Sequence, residues 1–236
     1  MIVWLAVLAF SPAIFWLWYV YQKDKWEPEP RALVVKTFLL GMACALPAAL
    51  GEALFFWSGF FLIVVAAPVI EEYAKYFVVS RTVYRTIEFS EPMDGIVYSA
   101  AAALGFASIE NLLYLIAAQN QQMLAPVFIG RAIFSVPGHV LFSTIWGAAL
   151  GRAKFISDPL RQRALIHGGL LAAMAAHGLF NLLAMFELLG AIGLLVFLFF
   201  AWKFFHQRVE EALSQSSYAQ RLEQLFGRRD GSHPRP

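Results

Sequence analysis

Charged residues are scarce in this chain, and their scarcity excludes an ordinary soluble domain. Only 14% of the 236 residues are charged, whereas a soluble domain carries roughly 25%. The formal net charge of +2 is too small to indicate a nucleic-acid partner. The single cysteine, Cys44, excludes an internal disulfide. No HExxH motif is present, so the common helical zinc-protease pattern is absent as well.

Apolar residues dominate the remaining sequence, at 60% of the chain with a mean hydropathy of +0.62. A helix needs about 20 mostly apolar residues to cross a bilayer. The sequence therefore predicts an all-α, polytopic transmembrane helical bundle of about seven spans, embedded in the lipid bilayer. The first apolar run has no basic residue before it, so we expect a retained span rather than a cleaved signal peptide. The predicted spans are 2–21, 32–56, 60–80, 94–117, 127–150, 165–186 and 188–205.

The basic residues predict the orientation of these spans. If the N-terminus lies outside, sixteen of the 18 lysines and arginines fall on inner segments. The predicted outer loop 118–126 has no charged residue. Because basic residues accumulate on the cytoplasmic side, this bias favours an N-out, C-in arrangement. We accordingly divide the chain into a transmembrane domain, 1–206, and a polar cytoplasmic tail, 207–236.

Several ionisable or amide side chains lie inside the predicted spans, where a charge costs about 2.5–3.5 kcal/mol. At a rise of about 1.5 Å per residue, those on different spans fall at similar depths, roughly 12–24 Å from the inner ends. Such layering favours a shared polar cavity over unrelated positions. The residues are Glu71, Glu72 and Lys75 in the third span, Glu110 and Asn111 in the fourth, Arg131 and His139 in the fifth, and His177 and Asn181 in the sixth.

This set of side chains suits peptide hydrolysis, which needs an activated water, a stabilised oxyanion and a proton for the leaving amine. A buried glutamate can activate the water, and histidine or asparagine can support the oxyanion. Because Glu71 and Glu72 point about 100° apart, one should face the site while the other orients a neighbour or pairs with Lys75. Alternatively, Glu72, His139 and His177 could hold zinc. The cofactor prediction therefore stays open between none and zinc.

Other interpretations of the same residues remain open. Buried ionisable groups also mark ion paths, so a non-enzymatic ion- or proton-coupled transporter is the alternative function. Arg131 lies near the outer end of its span, and we expect it to extend to the interface. The loop acids are expected to form a solvated face, with Asp94 also capping the fourth span. They are Glu27, Glu29, Glu88, Glu91 and Asp94.

The order and spacing of these motifs resemble the PrsW family of intramembrane proteases, which is distantly similar to CAAX-processing membrane peptidases. The resemblance covers about residues 20–185. It includes the EPEP-containing inner loop, 23–31, which is typical of that family. The motifs are Glu71-Glu72-x-x-Lys75, Phe106-x-x-x-Glu110-Asn111, a lone His139, and His177-x-x-x-Asn181.

The resemblance implies an intramembrane endopeptidase of the bacterial inner membrane. It implies that Glu71 or Glu72 is the general base and that His139 and His177 shape the water and oxyanion site. Asn181 would support the oxyanion. The implied partner is a single-pass membrane protein, an anti-sigma factor whose cleavage starts regulated proteolysis.

Glu110 marks a departure from the more distant relatives. CAAX-type peptidases carry a histidine at its position, in an FxxxH pattern, and a carboxylate cannot act as an imidazole does. Those relatives are thought to work without a metal, and this favours a water activated by glutamate.

Overall fold

The computed structural model describes residues 2–120, 122–186 and 188–216, and it contains no strand in these ranges. Short 3-10 and π-helical turns join some of the helices. This architecture confirms the predicted all-α bundle. The helices are α1 (Ile2–Tyr21), α2 (Arg31–Ala53), α3 (Gly59–Phe61), α4 (Ala67–Thr82), α5 (Pro92–Asn120), α6 (Leu124–Gly130), α7 (Val136–Ala153), α8 (Pro159–Ala184) and α9 (Leu188–Ser214).

Within the described residues, six helical stretches are long and apolar enough to cross a membrane. Five are α1, α2, α5, α8 and α9, and the sixth runs through α6 and α7 as Leu124–Ala153. The third predicted span, 60–80, is also helical, but its α-helical part, α4, has only 16 residues and carries charged side chains. Large apolar side chains such as Trp4, Phe60 and Phe199 are exposed on the outside of the bundle. Such apolar surface is typical of contact with lipid.

Helix α5 lies at the centre of the bundle, in contact with α1, α2 and α7. Every residue from Glu91 to Ser108 is buried. Close packing depends on glycine, because a Cβ at Gly95 would overlap the backbone of α7 and one at Gly105 would overlap the Phe38 carbonyl of α2. This tight packing fixes the position of Glu110, which lies further along the same helix.

Two π-helical turns, Leu62–Ala66 and Arg131–Ser135, directly precede α4 and α7. Pro68 and Pro137 lie at the starts of these two helices. Because proline has no N–H to donate to the preceding turn, the regular helical pattern cannot continue through it. Turns of this kind often occur at functional sites. Here each one leads, within a few residues, to a predicted site residue.

The acids at the predicted inner end of the bundle differ from our expectation. The prediction of a solvated face was wrong for Glu29, Glu91 and Asp94, whose exposed fractions are 3%, 2% and 2%. Glu29 and Asp94 are buried because the α1–α2 loop folds against the start of α5, where the Tyr98 hydroxyl donates a hydrogen bond to Glu29. Glu91 has a different partner, because the Ser216 hydroxyl donates to its Oε1 at 2.6 Å. Asp94 is not the N-cap residue that was predicted, because it lies within the first turn of α5. Its Oδ2 instead accepts the amide of Glu91, just before the helix, at 2.8 Å.

Helix α9 continues to Ser214, beyond the predicted end of the last span at residue 205. The first residues of the predicted tail, 207–236, are therefore helical. Residues 217–236 lie outside the described residues, so the cytoplasmic tail stays a prediction.

Candidate active site

A cavity of about 620 Å³ opens between α2, α4, α5, α7 and α8. Five of the six predicted site residues line it, together with two charged residues that were not assigned to the site, Glu52 and Arg131. The site residues on its wall are Glu71, Glu110, His139, His177 and Asn181. Helices far apart in sequence therefore bring carboxylates, imidazoles and an amide to one polar space, as the shared depth of these residues predicted.

Lys75 lies at the junction of these groups and is fully buried. Its Nζ donates hydrogen bonds to Glu71 Oε2 at 3.1 Å and Glu72 Oε1 at 2.9 Å. The same nitrogen lies 3.0 Å from His139 Nδ1. Lys75 thus compensates the charge of both adjacent glutamates.

Glu72 lies behind the cavity wall and is fully buried. Its Oε2 accepts hydrogen bonds from Ser143 Oγ at 2.7 Å and Trp146 Nε1 at 3.0 Å. Its Oε1 lies 3.2 Å from His177 Nδ1, in addition to the Lys75 contact. An ionised carboxylate only accepts hydrogen bonds, so His177 donates from Nδ1 and keeps its Nε2 lone pair available. Glu72 therefore joins α4 to α7 and orients His177.

His139 is oriented by an equivalent carboxylate contact. Its Nε2 lies 2.8 Å from Glu110 Oε2, while the Lys75 ammonium faces Nδ1. Because an ammonium only donates, Nδ1 is the acceptor and Nε2–H donates to Glu110. His139 Nδ1 also lies 3.8 Å from Glu71 Oε2, and the rings of His139 and His177 are 5.3 Å apart.

Arg131 is a cavity residue that the sequence analysis assigned wrongly to the membrane interface. Its guanidinium forms an ion pair with Glu110 at 2.8 Å, and its Nε donates to Asn111 Oδ1 at 2.5 Å. The guanidinium also stacks over the Tyr114 ring at 4.1 Å. A carboxylate inside a span needs a nearby cation, and this need of Glu110 could have drawn attention to Arg131. The sequence, however, contains no pattern that shows these two residues to be in contact.

Asn181 faces the cavity and also stabilises the first π-helical turn. Its Nδ2 donates to the Ile63 carbonyl at 2.9 Å. Gly178 follows His177 on α8 and packs against the Val64 carbonyl. The contact is so close that a Cβ at this position would overlap the carbonyl oxygen. This face of α8 therefore holds the irregular turn that precedes Glu71.

The donor set on the cavity wall fits a metal ion. One ligand atom each from Glu71, His139 and His177 lies within 4.8 Å of the others, and all three residues are buried. Two imidazoles and one carboxylate form many catalytic zinc sites. In each imidazole one nitrogen donates a hydrogen bond to a carboxylate, Glu110 for His139 and Glu72 for His177, as is usual for histidines that bind zinc. The predicted zinc ligands were Glu72, His139 and His177, but the structure groups Glu71, and not Glu72, with the two histidines.

Comparison with known proteins agrees with this geometry. The profile of a family described as PrsW family intramembrane metalloprotease matches residues 29–205. The protein named Protease PrsW from Geobacillus kaustophilus (strain HTA426) is 36% identical over 180 residues, which are 72% of this chain and 75% of the relative. Its namesake from Bacillus subtilis (strain 168) is 32% identical over 209 residues, or 86% of this chain and 93% of the relative.

A third Protease PrsW, from Clostridioides difficile (strain 630), is 29% identical over 221 residues, or 90% of this chain and 92% of the relative. No solved structure matches the chain. The matches favour a peptidase over the alternative of a transporter. The chain belongs to the PrsW family of intramembrane metalloproteases and is a multi-pass bacterial membrane peptidase.

Proposed function

We propose that the chain hydrolyses a peptide bond of a single-pass membrane protein at the cavity lined by Glu71, His139 and His177. The observation that supports this proposal is the convergence of these three side chains from three different helices. A carboxylate and two imidazoles in one polar space can activate water and stabilise developing charge. Lipid-facing surface around the bundle suits a substrate that is itself anchored in the membrane.

Glu71 is the glutamate that takes direct part in the reaction, because it lines the cavity whereas Glu72 is enclosed by protein donors. In a metal-bound enzyme, Glu71, His139 and His177 would hold the ion, and Lys75 would have to release Glu71 Oε2 and His139 Nδ1. A zinc ion there would lower the pKa of a bound water and polarise the scissile carbonyl. Without a metal, the Glu71 carboxylate would take the proton of the water and return it to the leaving amine.

Glu72 and Glu110 act as positioning residues for the two imidazoles. Glu72 accepts a hydrogen bond from Nδ1 of His177, and Glu110 accepts one from Nε2 of His139. Each carboxylate thereby fixes one tautomer and one ring orientation. This leaves Nε2 of His177 for the reaction, whereas Nδ1 of His139 accepts a hydrogen bond from Lys75. This role for Glu110 accounts for an acid where CAAX-type relatives carry a histidine.

Asn181 supports the oxyanion in this proposal. A carboxamide has two N–H donors, and one of those of Asn181 is used by the Ile63 carbonyl. The second can donate to a carbonyl oxygen that becomes negatively charged in the cavity. Such fixed donors are a major source of catalysis in acyl transfer.

The cut should fall in the outer half of the substrate's span. The cavity is lined by the last turns of α2 and α8 and by the turn that precedes α7. The charge pattern predicts that these helix ends lie outside. The substrate class is the one that the resemblance implies, a single-pass anti-sigma factor, which would be cut between its membrane centre and its outer juxtamembrane segment.

Reconstituted protein tests this function directly. We expect wild-type protein in liposomes to cut a single-pass anti-sigma factor, with mass spectrometry locating the cut in the outer half of its span. His177→Ala should lose the activity. His167→Ala, an exposed histidine of the same helix, should keep it. Equal cleavage by both variants would remove His177 from the mechanism, and a cut in the inner half would refute the proposed substrate geometry.

A further inference from the structure

A second group of acids lies at the opposite, predicted inner, end of the bundle. Asp24 and Glu29 belong to the α1–α2 loop, and Asp94 belongs to the first turn of α5. Their exposed fractions are 4%, 3% and 2%. One carboxylate oxygen from each lies within 4.8 Å of the others. We call these three residues the inner acid cluster.

Among the described residues, the inner acid cluster has no protein counter-charge. In the part of the chain that the structure describes, none of the lysines, arginines or histidines forms an ion pair with its members. The nearby Lys154 donates instead to the Tyr84 carbonyl. Buried charges are normally paired or coordinate a metal ion, because an isolated buried carboxylate is very unfavourable.

The protein donors around the cluster leave carboxylate oxygens for a ligand. Glu29 Oε2 accepts the Tyr98 hydroxyl, and Asp94 Oδ2 accepts backbone amides, including that of Ser90 at 2.6 Å. Asp24 differs from both. Its two carboxylate oxygens are buried, and among the described residues neither meets a donor at hydrogen-bonding geometry.

Burial makes the cluster costly to ionise in isolation. It raises the pKa of Asp24 to about 7, with a further contribution from the charge of Asp94 and a partial offset from the nearby amides of Glu27 and Glu29. Burial likewise raises the pKa of Glu29 to about 10, with the neighbouring Asp94 carboxyl adding to the effect. A bound cation would remove this cost, and the geometry of the oxygens suits one.

We propose that Asp24, Glu29 and Asp94 bind one hard divalent cation of the Mg²⁺ or Ca²⁺ class, which fastens the α1–α2 loop to the start of α5. Carboxylate oxygens are the ligands that these ions prefer. The active-site cavity offers imidazoles instead, and these suit zinc. Asp94 and Glu110 are 16 residues apart on one helix, about 24 Å along its axis. The two sites are therefore separate.

The cation has a structural role in this proposal. Helix α5 is the central helix of the bundle, and the loop that it meets connects α1 to α2. By offsetting most of the charge of the three acids, the ion holds both neighbours of α5 in register at its first turn. The site should thus affect stability and leave the chemistry of the cavity unchanged.

Cation binding by the full chain in detergent tests the proposal. After chelation of bound metals, Mn²⁺ serves as the paramagnetic probe, and Mg²⁺ or Ca²⁺ should displace it. Asp24→Asn should weaken Mn²⁺ binding by at least about tenfold, since it removes one ligand charge. Glu27→Gln, an exposed acid of the same loop, should bind as wild type does. Glu71→Gln should also retain this binding, because it alters only the cavity.

Thermal unfolding gives a second readout that does not depend on enzymatic activity. Mg²⁺ or Ca²⁺ should raise the unfolding temperature of wild type and Glu27→Gln, but not that of Asp24→Asn or Glu29→Gln. The proposal would be overturned if wild type neither binds Mn²⁺ nor responds to the two cations. Equal binding by wild type, Asp24→Asn and Glu29→Gln would overturn it too.

Discussion

Replacing Glu72 with alanine should destabilise the fold more than the same change at Glu71. Glu72 is fully buried and accepts hydrogen bonds from donors on α4, α7 and α8. Glu71 lines the cavity, and its hydrogen bond in the described structure is the one from Lys75. The two adjacent glutamates should therefore separate into one that supports the fold and one that supports the reaction.

The magnitude follows from what the substitution leaves behind. Removing one partner of a buried ion pair costs about 3–5 kcal/mol. Lys75 keeps Glu71 as a partner, which lowers this cost, but Ser143 and Trp146 lose their acceptor. An unsatisfied buried donor costs about 1–3 kcal/mol. We expect Glu72→Ala to lose about 3–5 kcal/mol of unfolding free energy, a large part of the 5–15 kcal/mol typical of a domain.

Equilibrium unfolding in mixed micelles, followed by tryptophan fluorescence, measures this loss. Glu71→Ala serves as the matched control and should lose about 1.5–3 kcal/mol, since it gives up a single hydrogen bond to a charged group. If Glu72→Ala unfolds within about 1 kcal/mol of wild type, the network around Glu72 does not stabilise the fold as this reasoning requires.

Three further predictions concern the surroundings of the cavity. Arg131→Ala should lower activity by about 10–100-fold, because Glu110 would lose the partner that helps it hold an imidazole; Arg81→Ala, at an exposed position, should not. Gly178→Ala should cost about 1–3 kcal/mol of stability, because its Cβ would overlap the Val64 carbonyl. Gly168→Ala has open space and should be neutral. If the cavity works with zinc, chelation should abolish cleavage and elemental analysis should find about one zinc per chain. Full activity in metal-free protein would instead favour water activation by Glu71 alone.

The spans and the shared depth of the polar residues could be predicted because both depend on distances along the chain. Span length follows from bilayer thickness, and depth follows from the rise of a helix. The division of roles between Glu71 and Glu72 could not be predicted in the same way. The sequence shows that they point in different directions. The rotation of α4, however, depends on the π-helical turn before it, which packs against Gly178 and Asn181, far away in sequence.

Contacts between distant segments also explain two further expectations that were wrong. Arg131 was assigned to the interface because it lies near a span end, and only the packing of the helices brings it to Glu110. The loop acids were assigned to solvent because loops usually are solvated. Glu29 and Asp94 are buried because the α1–α2 loop folds onto α5, and no local sequence pattern predicts this contact.

Peptide-bond cleavage by a folded Glu71→Gln variant is the most direct test of the proposed catalytic centre. The change keeps the size of the side chain while removing the charge that activates water or binds a metal ion. In liposomes with a single-pass substrate, we predict that cleavage is lost, whereas Glu210→Gln, at an exposed acid of α9, cuts at the wild-type rate. Wild-type cleavage by Glu71→Gln would contradict a reaction centred on this glutamate and the two histidines.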